Sequence, residues 1–184
     1  MYRFCLLICS LLISQISVAE TALAKVITEA GANVMFMRHA LAPGYGDPSH
    51  FDVNDCSTQR NLDATGRTQA KALGKVLRQH QINFDEVKSS QWCRCQETAR
   101  LLEVGKVVPF TGLNSFFEEH ADREQTLRQL KNHLDSLKPD ELVLLVTHQV
   151  VISAVTGVYA PSGGVILFNT TTKTSKALDL QRYQ

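Results

Sequence analysis

The 184-residue chain carries 19 basic and 18 acidic residues, and 44% of its residues are hydrophobic. This length and composition suit one globular domain whose core is large enough to fold without a structural metal or a dense set of disulfides. The balanced charge gives neither a basic stripe nor an acidic tail, so we expect no nucleic-acid partner, and nothing in the composition indicates a protein partner.

The N-terminal segment has the pattern of a secretory signal peptide. Arg3 precedes an almost wholly apolar run, Phe4–Ile16, and small residues occupy the first and third positions of 17–19. This pattern predicts cleavage after residue 19 and a single mature domain at 20–184, and Ala22-Leu23-Ala24 is a second possible cleavage site. An uncleaved membrane anchor is the alternative, but the apolar run is shorter than the roughly 20 residues that cross a bilayer. We therefore expect an exported protein without a membrane span, periplasmic in a Gram-negative source and otherwise secreted.

Three cysteines remain in the predicted mature chain: Cys56, Cys93 and Cys95. An oxidising compartment favours one disulfide among them, with one thiol left over. Cys93 and Cys95 are too close in sequence to pair comfortably with each other, which leaves Cys56 to pair with either. Of these two pairings we choose Cys56 with Cys93 as the prediction. Three buried thiols are an alternative. A zinc site is another, although Cys-x-Cys without a second pair is a poor zinc motif.

Beyond the signal-like segment, short apolar runs alternate with amphipathic stretches, and these patterns predict strands and helices respectively. In chain order we predict a strand at 34–37, a helix at 64–80, a strand at 86–89, a helix at 96–104, a strand at 107–110, a helix at 122–137, a strand at 142–146, a helix at 150–156, and strands at 164–168 and 176–180. This alternation predicts an α/β fold, with a mostly parallel central sheet and helices on both faces.

Two of the predicted strands end in a histidine. Arg38 and His39 follow the first strand, and His148 follows the strong apolar strand at 142–146. Ligands of open α/β sheets bind beyond the carboxyl ends of the strands. We therefore expect His39 and His148 to meet at one site, although they are far apart in sequence. Arg94, just after the strand at 86–89, is expected at the same edge.

Two imidazoles and two guanidinium groups around one pocket predict an anion site, and arginine forks match phosphate oxygens in pairs. A neutral imidazole is a competent nucleophile toward phosphorus. The guanidinium groups would stabilise charge on the transferring phosphoryl group. This scheme needs neither a metal ion nor an organic cofactor, and its substrate would be a small phosphate ester.

Four segments of the chain resemble the signature segments of the histidine phosphatase superfamily, also called phosphoglycerate-mutase-like. They are VMFMRHA at 34–40, LDATGRTQAKALG at 62–74, SSQWCRCQETA at 89–99 and LLVTHQ at 144–149. The resemblance implies a three-layer α/β sandwich and a metal-independent phosphoric monoester hydrolase. It implies that His39 is the phosphorylated nucleophile and that Arg38, Arg94 and His148 form the phosphate pocket.

The general acid is where the sequence departs from the family pattern. Many members carry a glutamate in a Leu-x-Glu segment, whereas the matching stretch here is Leu113-Asn114-Ser115. Glu118 is our first choice for the acid, Glu119 and Asp122 are alternatives, and the chain could also lack one.

Arg60, just before the predicted helix at 64–80, is a candidate contact for a second charge on the substrate. Two other functions stay open from sequence. One is a phosphate or phosphosugar receptor that has kept the pocket and lost turnover. The other is a metallohydrolase that uses His39, His148, His50 and Asp52 as ligands.

Overall fold

The structure is a computed structural model that describes residues 21–183. The predicted signal peptide, residues 1–19, lies outside the described residues. Within them, helices and strands follow in the order α1 (Ala22–Glu29), β1 (Val34–Arg38), α2 (Ala64–Gln79), β2 (Glu86–Ser89), α3 (Cys93–Leu102), β3 (Val107–Pro109), α4 (Arg123–Ser136), β4 (Val143–Thr147), α5 (Gln149–Thr156), β5 (Val165–Phe168) and β6 (Ser175–Leu178).

The strands form one mixed sheet in the order β3-β2-β4-β1-β5-β6. The pairs among β1, β2, β3 and β4 are parallel, whereas β5 and β6 pair antiparallel at one side. Arg38 lies opposite Thr147 in the register of β1 and β4. The next residue along each strand is His39 or His148, so the sheet itself brings the two imidazoles to one edge.

The two faces of the sheet bury separate apolar cores. In β1, Met35 and Met37 pack toward α1, α2 and α3, while Val34 and Phe36 pack toward α4 and α5. This alternation is the two-residue period of a strand, and burial on both faces explains why β1 and β4 are continuous apolar runs. The predicted three-layer α/β sandwich with a mostly parallel sheet is confirmed.

Capping residues and close packing set where α2 lies. The Asp63 carboxylate accepts a hydrogen bond from Gly66 N at 2.7 Å, which satisfies one free amide of the first turn. A Cβ on Gly66 would come within 1.9 Å of the Leu41 carbonyl oxygen, so only glycine lets α2 lie against the chain that leaves β1. This contact holds the start of the long 41–63 loop close to His39.

A disulfide joins Cys56 and Cys93, whose Cα atoms lie 5.7 Å apart, and the predicted pairing is confirmed. It ties the 41–63 loop to the first residue of α3. The remaining thiol, Cys95, is fully buried, and burial raises its pKa to about 12, so it stays protonated at neutral pH. Among residues 21–183, no helix is both long enough and apolar enough to cross a membrane.

Candidate active site

A cavity of about 130 Å³ lies beyond the carboxyl ends of β1 and β4. Its lining includes five of the predicted site residues: the nucleophile His39, the phosphate-pocket residues Arg38, Arg94 and His148, and the rim candidate Arg60. Two larger grooves, of about 490 and 720 Å³, lie along α2 and the β5–β6 hairpin and have no histidine in their walls. The small cavity is therefore the place where the predicted site residues converge.

The imidazole of His39 is held in one orientation. Its Nδ1 lies 2.8 Å from the Ala40 carbonyl oxygen, and Arg94 Nε lies 3.3 Å from its Nε2. A guanidinium N–H only donates, so Nε2 is the unprotonated nitrogen and Nδ1–H donates to the carbonyl. Burial lowers the pKa of His39 well below its usual value, and the charge of Arg94 lowers it further. The ring therefore presents a neutral nitrogen lone pair beside a guanidinium group.

His148 lies next to His39, with ring centroids 5.5 Å apart. Its Nε2 is 2.9 Å from the Ser90 hydroxyl and 3.4 Å from the Cys95 sulfur. Burial lowers the pKa of His148 well below its usual value, and the positive charge of Arg94 acts in the same direction. Both imidazoles are thus neutral when the free protein is at neutral pH.

These lowered pKa values predict a loss of stability in mild acid. Between the unfolded pKa of about 6.5 and the lower folded value, the unfolded chain binds a proton at each histidine that the folded chain does not bind. The free energy of unfolding should fall as pH falls, by about 1.4 kcal/mol per pH unit for each such histidine. Chemical unfolding at pH 6.5 to 5.0, above the range of ordinary carboxyl groups, measures this slope.

The variant His148→Asn isolates one of these contributions. His133, whose pKa burial also lowers, titrates in both proteins and cancels from the comparison. We expect the slope of the variant to be smaller than that of the wild type by about 1.4 kcal/mol per pH unit. Equal slopes in the two proteins would show that His148 is not held neutral by the fold.

The fork of Arg94 faces a carboxylate that the sequence did not predict as part of the site. Arg94 Nη1 and Nη2 donate to Asp47 Oδ1 and Oδ2 at 2.7 and 3.0 Å, and Nη1 also lies 3.1 Å from the Arg60 carbonyl oxygen. Both side chains are buried, with 4% and 3% of their surface exposed. Arg94 is thereby fixed with its Nε–H directed at His39.

Two further guanidinium groups complete the cationic wall. Arg38 Nη1 donates to the Ala160 carbonyl oxygen at 3.1 Å, while its Nε is buried and has no hydrogen-bond partner. Arg60 donates to the carbonyl oxygens of Gly46 and Ala42, so this side chain also fastens the 41–63 loop. A buried N–H without an acceptor is costly, and an oxyanion in the cavity would provide one for Arg38.

None of the three predicted acids lines the cavity. Ser115 does line it, and it stands where the family pattern would carry glutamate. Glu118, the first choice, is 43% exposed and points to His120 at 3.8 Å. Asp122 accepts from Gln125 N at the start of α4 and serves as its cap. The Glu118 carboxylate lies against Gly46, which lines the cavity, but Glu118 itself is not among the lining residues.

Asp47 is the residue that the sequence interpretation missed. It lies within the 41–63 loop, directly after a bend at 44–46 and before Pro48. Gly46 has φ +65°, and a Cβ there would meet the Glu118 carboxylate at 2.5 Å. The left-handed backbone at Gly46 comes directly before Asp47, and this φ favours glycine. The only sequence signal for a buried carboxylate here is an acidic residue directly after a glycine.

The alternative metal set is not assembled. Within residues 21–183, no group of three or more histidine, cysteine, aspartate or glutamate side chains is placed to hold a metal ion. His50 and Asp52 lie in the exposed part of the 41–63 loop and do not line the cavity.

Comparison with known proteins identifies the family. Residues 34–129 match the profile described as histidine phosphatase superfamily (branch 1). The match covers more than half of the chain, so the protein belongs to this superfamily.

The similar curated proteins include the mitochondrial serine/threonine-protein phosphatase Pgam5 of Drosophila persimilis, which is 33% identical over 83 residues. That match covers 45% of this chain and 26% of the relative. The Drosophila virilis Pgam5 is 31% identical over 80 residues, covering 44% of this chain and 25% of that protein. The chain therefore matches about a quarter of the length of these relatives.

Solved structures of similar fold include the α-ribazole phosphatase of Shigella flexneri, with a TM-score of 0.54 and 19% identity over 79% of this chain and 94% of that one. A mycobacterial glucosyl-3-phosphoglycerate phosphatase superposes with a TM-score of 0.56 and 17% identity, over 80% of this chain and 97% of that one. At these identities the likeness establishes the phosphoglycerate-mutase-like fold and no more.

Proposed function

We propose that the protein is an exported phosphatase that hydrolyses small phosphate monoesters through a phosphohistidine intermediate on His39. The observation that carries this proposal is the pairing of the unprotonated Nε2 of His39 with a wall of three guanidinium groups around one small cavity. Membership of the superfamily supports it. A structure of the same fold, that of the protein histidine phosphatase SixA, is complexed with tungstate, a tetrahedral oxyanion.

The proposed reaction has two steps. In the first, His39 Nε2 forms a bond to phosphorus as the bond between phosphorus and the leaving oxygen breaks, and the oxygen takes the electron pair. In the second, water attacks the phosphohistidine, the N–P bond breaks, and inorganic phosphate leaves. Arg38, Arg94 and His148 would donate to the phosphoryl oxygens, where charge is spread in the transition state.

The absence of a free acid from the cavity lining predicts a strong dependence on the leaving group. A positioned general acid typically contributes about 10²–10⁴-fold to such a step. We expect kcat/KM for 4-nitrophenyl phosphate to exceed that for ethyl phosphate by at least about 10²-fold. Steady-state kinetics on a series of esters with increasing leaving-group pKa measure this dependence.

Ser115 offers a matched pair of variants for the same prediction. Ser115→Glu would place a carboxyl group in the cavity wall, and Ser115→Gln adds similar bulk without an acid. Ser115→Glu should raise kcat/KM for ethyl phosphate by about tenfold or more over Ser115→Gln, with a smaller effect on the activated ester. A wild type that hydrolyses both esters equally fast would show that another group already supplies the proton.

A phosphate or phosphosugar receptor is the second candidate function, and the position of Ser115 favours it, because the acid of many family members is missing there. Calorimetry with inorganic phosphate and an assay with 4-nitrophenyl phosphate separate the two functions. Phosphate binding without turnover of this activated ester would favour the receptor. Turnover that is lost in His39→Ala would favour the phosphatase.

Export is supported by two independent features. The first 19 residues have the signal-peptide pattern, and the Cys56–Cys93 disulfide is of a kind that persists in oxidising compartments. Expression of the full chain, followed by fractionation and N-terminal sequencing, tests this proposal. We expect a mature chain that begins at Glu20, and a chain retained uncleaved in the cytoplasm would contradict export.

A further inference from the structure

Asp47 has no role in the mechanism above, yet it is the most tightly held carboxylate at the cavity. It accepts four hydrogen bonds: two from Arg94, one at 3.0 Å from Arg60 N and one at 3.0 Å from Trp92 Nε1. Its side chain is 3% exposed. Two parts of the 41–63 loop, around Asp47 and Arg60, and the start of α3 therefore meet on one carboxylate.

We infer that Asp47 is a positioning residue that fixes Arg94 against His39, and that its negative charge limits how tightly the cavity holds phosphate. The positioning follows from the chain of contacts, because Arg94 reaches Asp47 with its fork and His39 with Nε–H. Without the carboxylate, the Arg94 fork would lose the two bonds that fix its orientation in the cavity.

The electrostatic part follows from the charges that face the cavity. Arg38, Arg60 and Arg94 contribute three positive charges, the buried imidazoles are neutral, and Asp47 contributes one negative charge. The resulting net charge of +2 matches a phosphate dianion. Loss of the carboxylate would leave +3 in a largely buried site, where Coulomb interactions are stronger than in water. Product phosphate would then bind more tightly.

Asp47 is poorly suited to act as the missing general acid. Burial alone would raise the pKa of this carboxyl, but the hydrogen bonds and charge of Arg94 outweigh burial and hold the pKa below its usual value. The group is therefore ionised at neutral pH and has no proton to give to a leaving oxygen. This distinction makes the two roles separable by experiment.

The test compares wild type with Asp47→Asn, Asp47→Glu and the control Asp52→Asn. Asp52 lies in the same loop, is exposed and does not line the cavity. For each protein we would measure kcat on 4-nitrophenyl phosphate and on ethyl phosphate, and the Kd of inorganic phosphate by calorimetry. Circular dichroism and thermal unfolding establish that each variant is folded.

We expect Asp47→Asn to lower kcat by about 10- to 100-fold on both esters, because the Arg94 guanidinium group is no longer held in position beside His39. We expect the same variant to bind phosphate about tenfold more tightly. Asp47→Glu should restore wild-type phosphate affinity, since it restores the charge, while kcat stays low because the longer side chain misplaces Arg94. Asp52→Asn should match wild type in all three measurements.

Several outcomes would overturn the inference. A loss confined to ethyl phosphate would make Asp47 the general acid. Unchanged or weaker phosphate binding in Asp47→Asn would remove the electrostatic role. Failure of both Asp47 variants to fold would assign the residue to folding alone.

The kinetic measurement rests on the proposed phosphatase function, whereas the measurement of phosphate binding does not. If wild type binds phosphate without turnover, the proposed function fails and the affinity shift still tests Asp47.

Discussion

His39→Ala is expected to lower kcat/KM on 4-nitrophenyl phosphate by about 10⁴-fold or more. The reason is that the proposed first step forms a covalent bond at His39 Nε2, which lies beside the Arg94 guanidinium group. The variant should keep its fold, because the His39 backbone is held by Thr147 and Gly163 independently of the ring.

His50→Ala is the matched control, since His50 is exposed in the 41–63 loop and does not line the cavity. We expect its kcat/KM to stay within about twofold of wild type, as for most surface substitutions. Phosphate binding by calorimetry would verify that His39→Ala retains the pocket. If His39→Ala keeps most of the wild-type activity, the covalent mechanism is wrong.

Arg94 is expected to give the second-largest effect. Arg94→Lys should lower kcat/KM by about 10²–10³-fold, as when one preorganised donor to the transition state is removed. Lysine keeps the charge beside Asp47 but lacks the planar fork that reaches Asp47 and His39 at once. Arg94→Ala should also destabilise the fold by about 3–5 kcal/mol, because it leaves a buried carboxylate unpaired.

Arg67→Lys serves as the control for Arg94→Lys. Arg67 contacts Glu97 at 2.6 Å between α2 and α3, but 46% of its side chain is exposed. Exposed ion pairs contribute roughly 0–1 kcal/mol, so this variant should resemble wild type in activity and unfolding temperature. Steady-state kinetics and thermal unfolding on the four proteins make the comparison. An Arg94→Lys effect under tenfold would count against the proposed role of Arg94.

The sheet and its layers follow from local pattern. Apolar runs such as Val143–Thr147 are typical of a strand that is buried on both faces of a sheet. The predicted helices are also observed, and each begins and ends within three residues of its predicted bounds. The convergence of His39 and His148 also follows from sequence, because each histidine directly follows a parallel strand. The exception is α1 (Ala22–Glu29). This helix was not predicted, because the N-terminal residues were interpreted only in terms of signal-peptide processing.

The long loop is where prediction from sequence reached its limit. Asp47 becomes part of the cavity through Gly46's positive φ, the disulfide at Cys56 and the bonds that Arg60 makes to loop carbonyls. The hydrogen bonds that Asp47 accepts from Trp92 and Arg94 join segments distant along the chain, so no local pattern contains them. Glu118, which sequence proximity to Ser115 favoured as the acid, is not among the residues that line the cavity.

The central claim is that phosphorus becomes bonded to a nitrogen of residue 39 during turnover. Wild-type protein mixed with a labelled aryl phosphate and quenched in base during the first turnovers should carry covalent label that is stable to base and lost in acid. Mass spectrometry should place that label on His39, and His39→Ala should carry none. Hydrolysis that proceeds without a protein-bound phosphate, or with equal labelling of His39→Ala, would contradict the account.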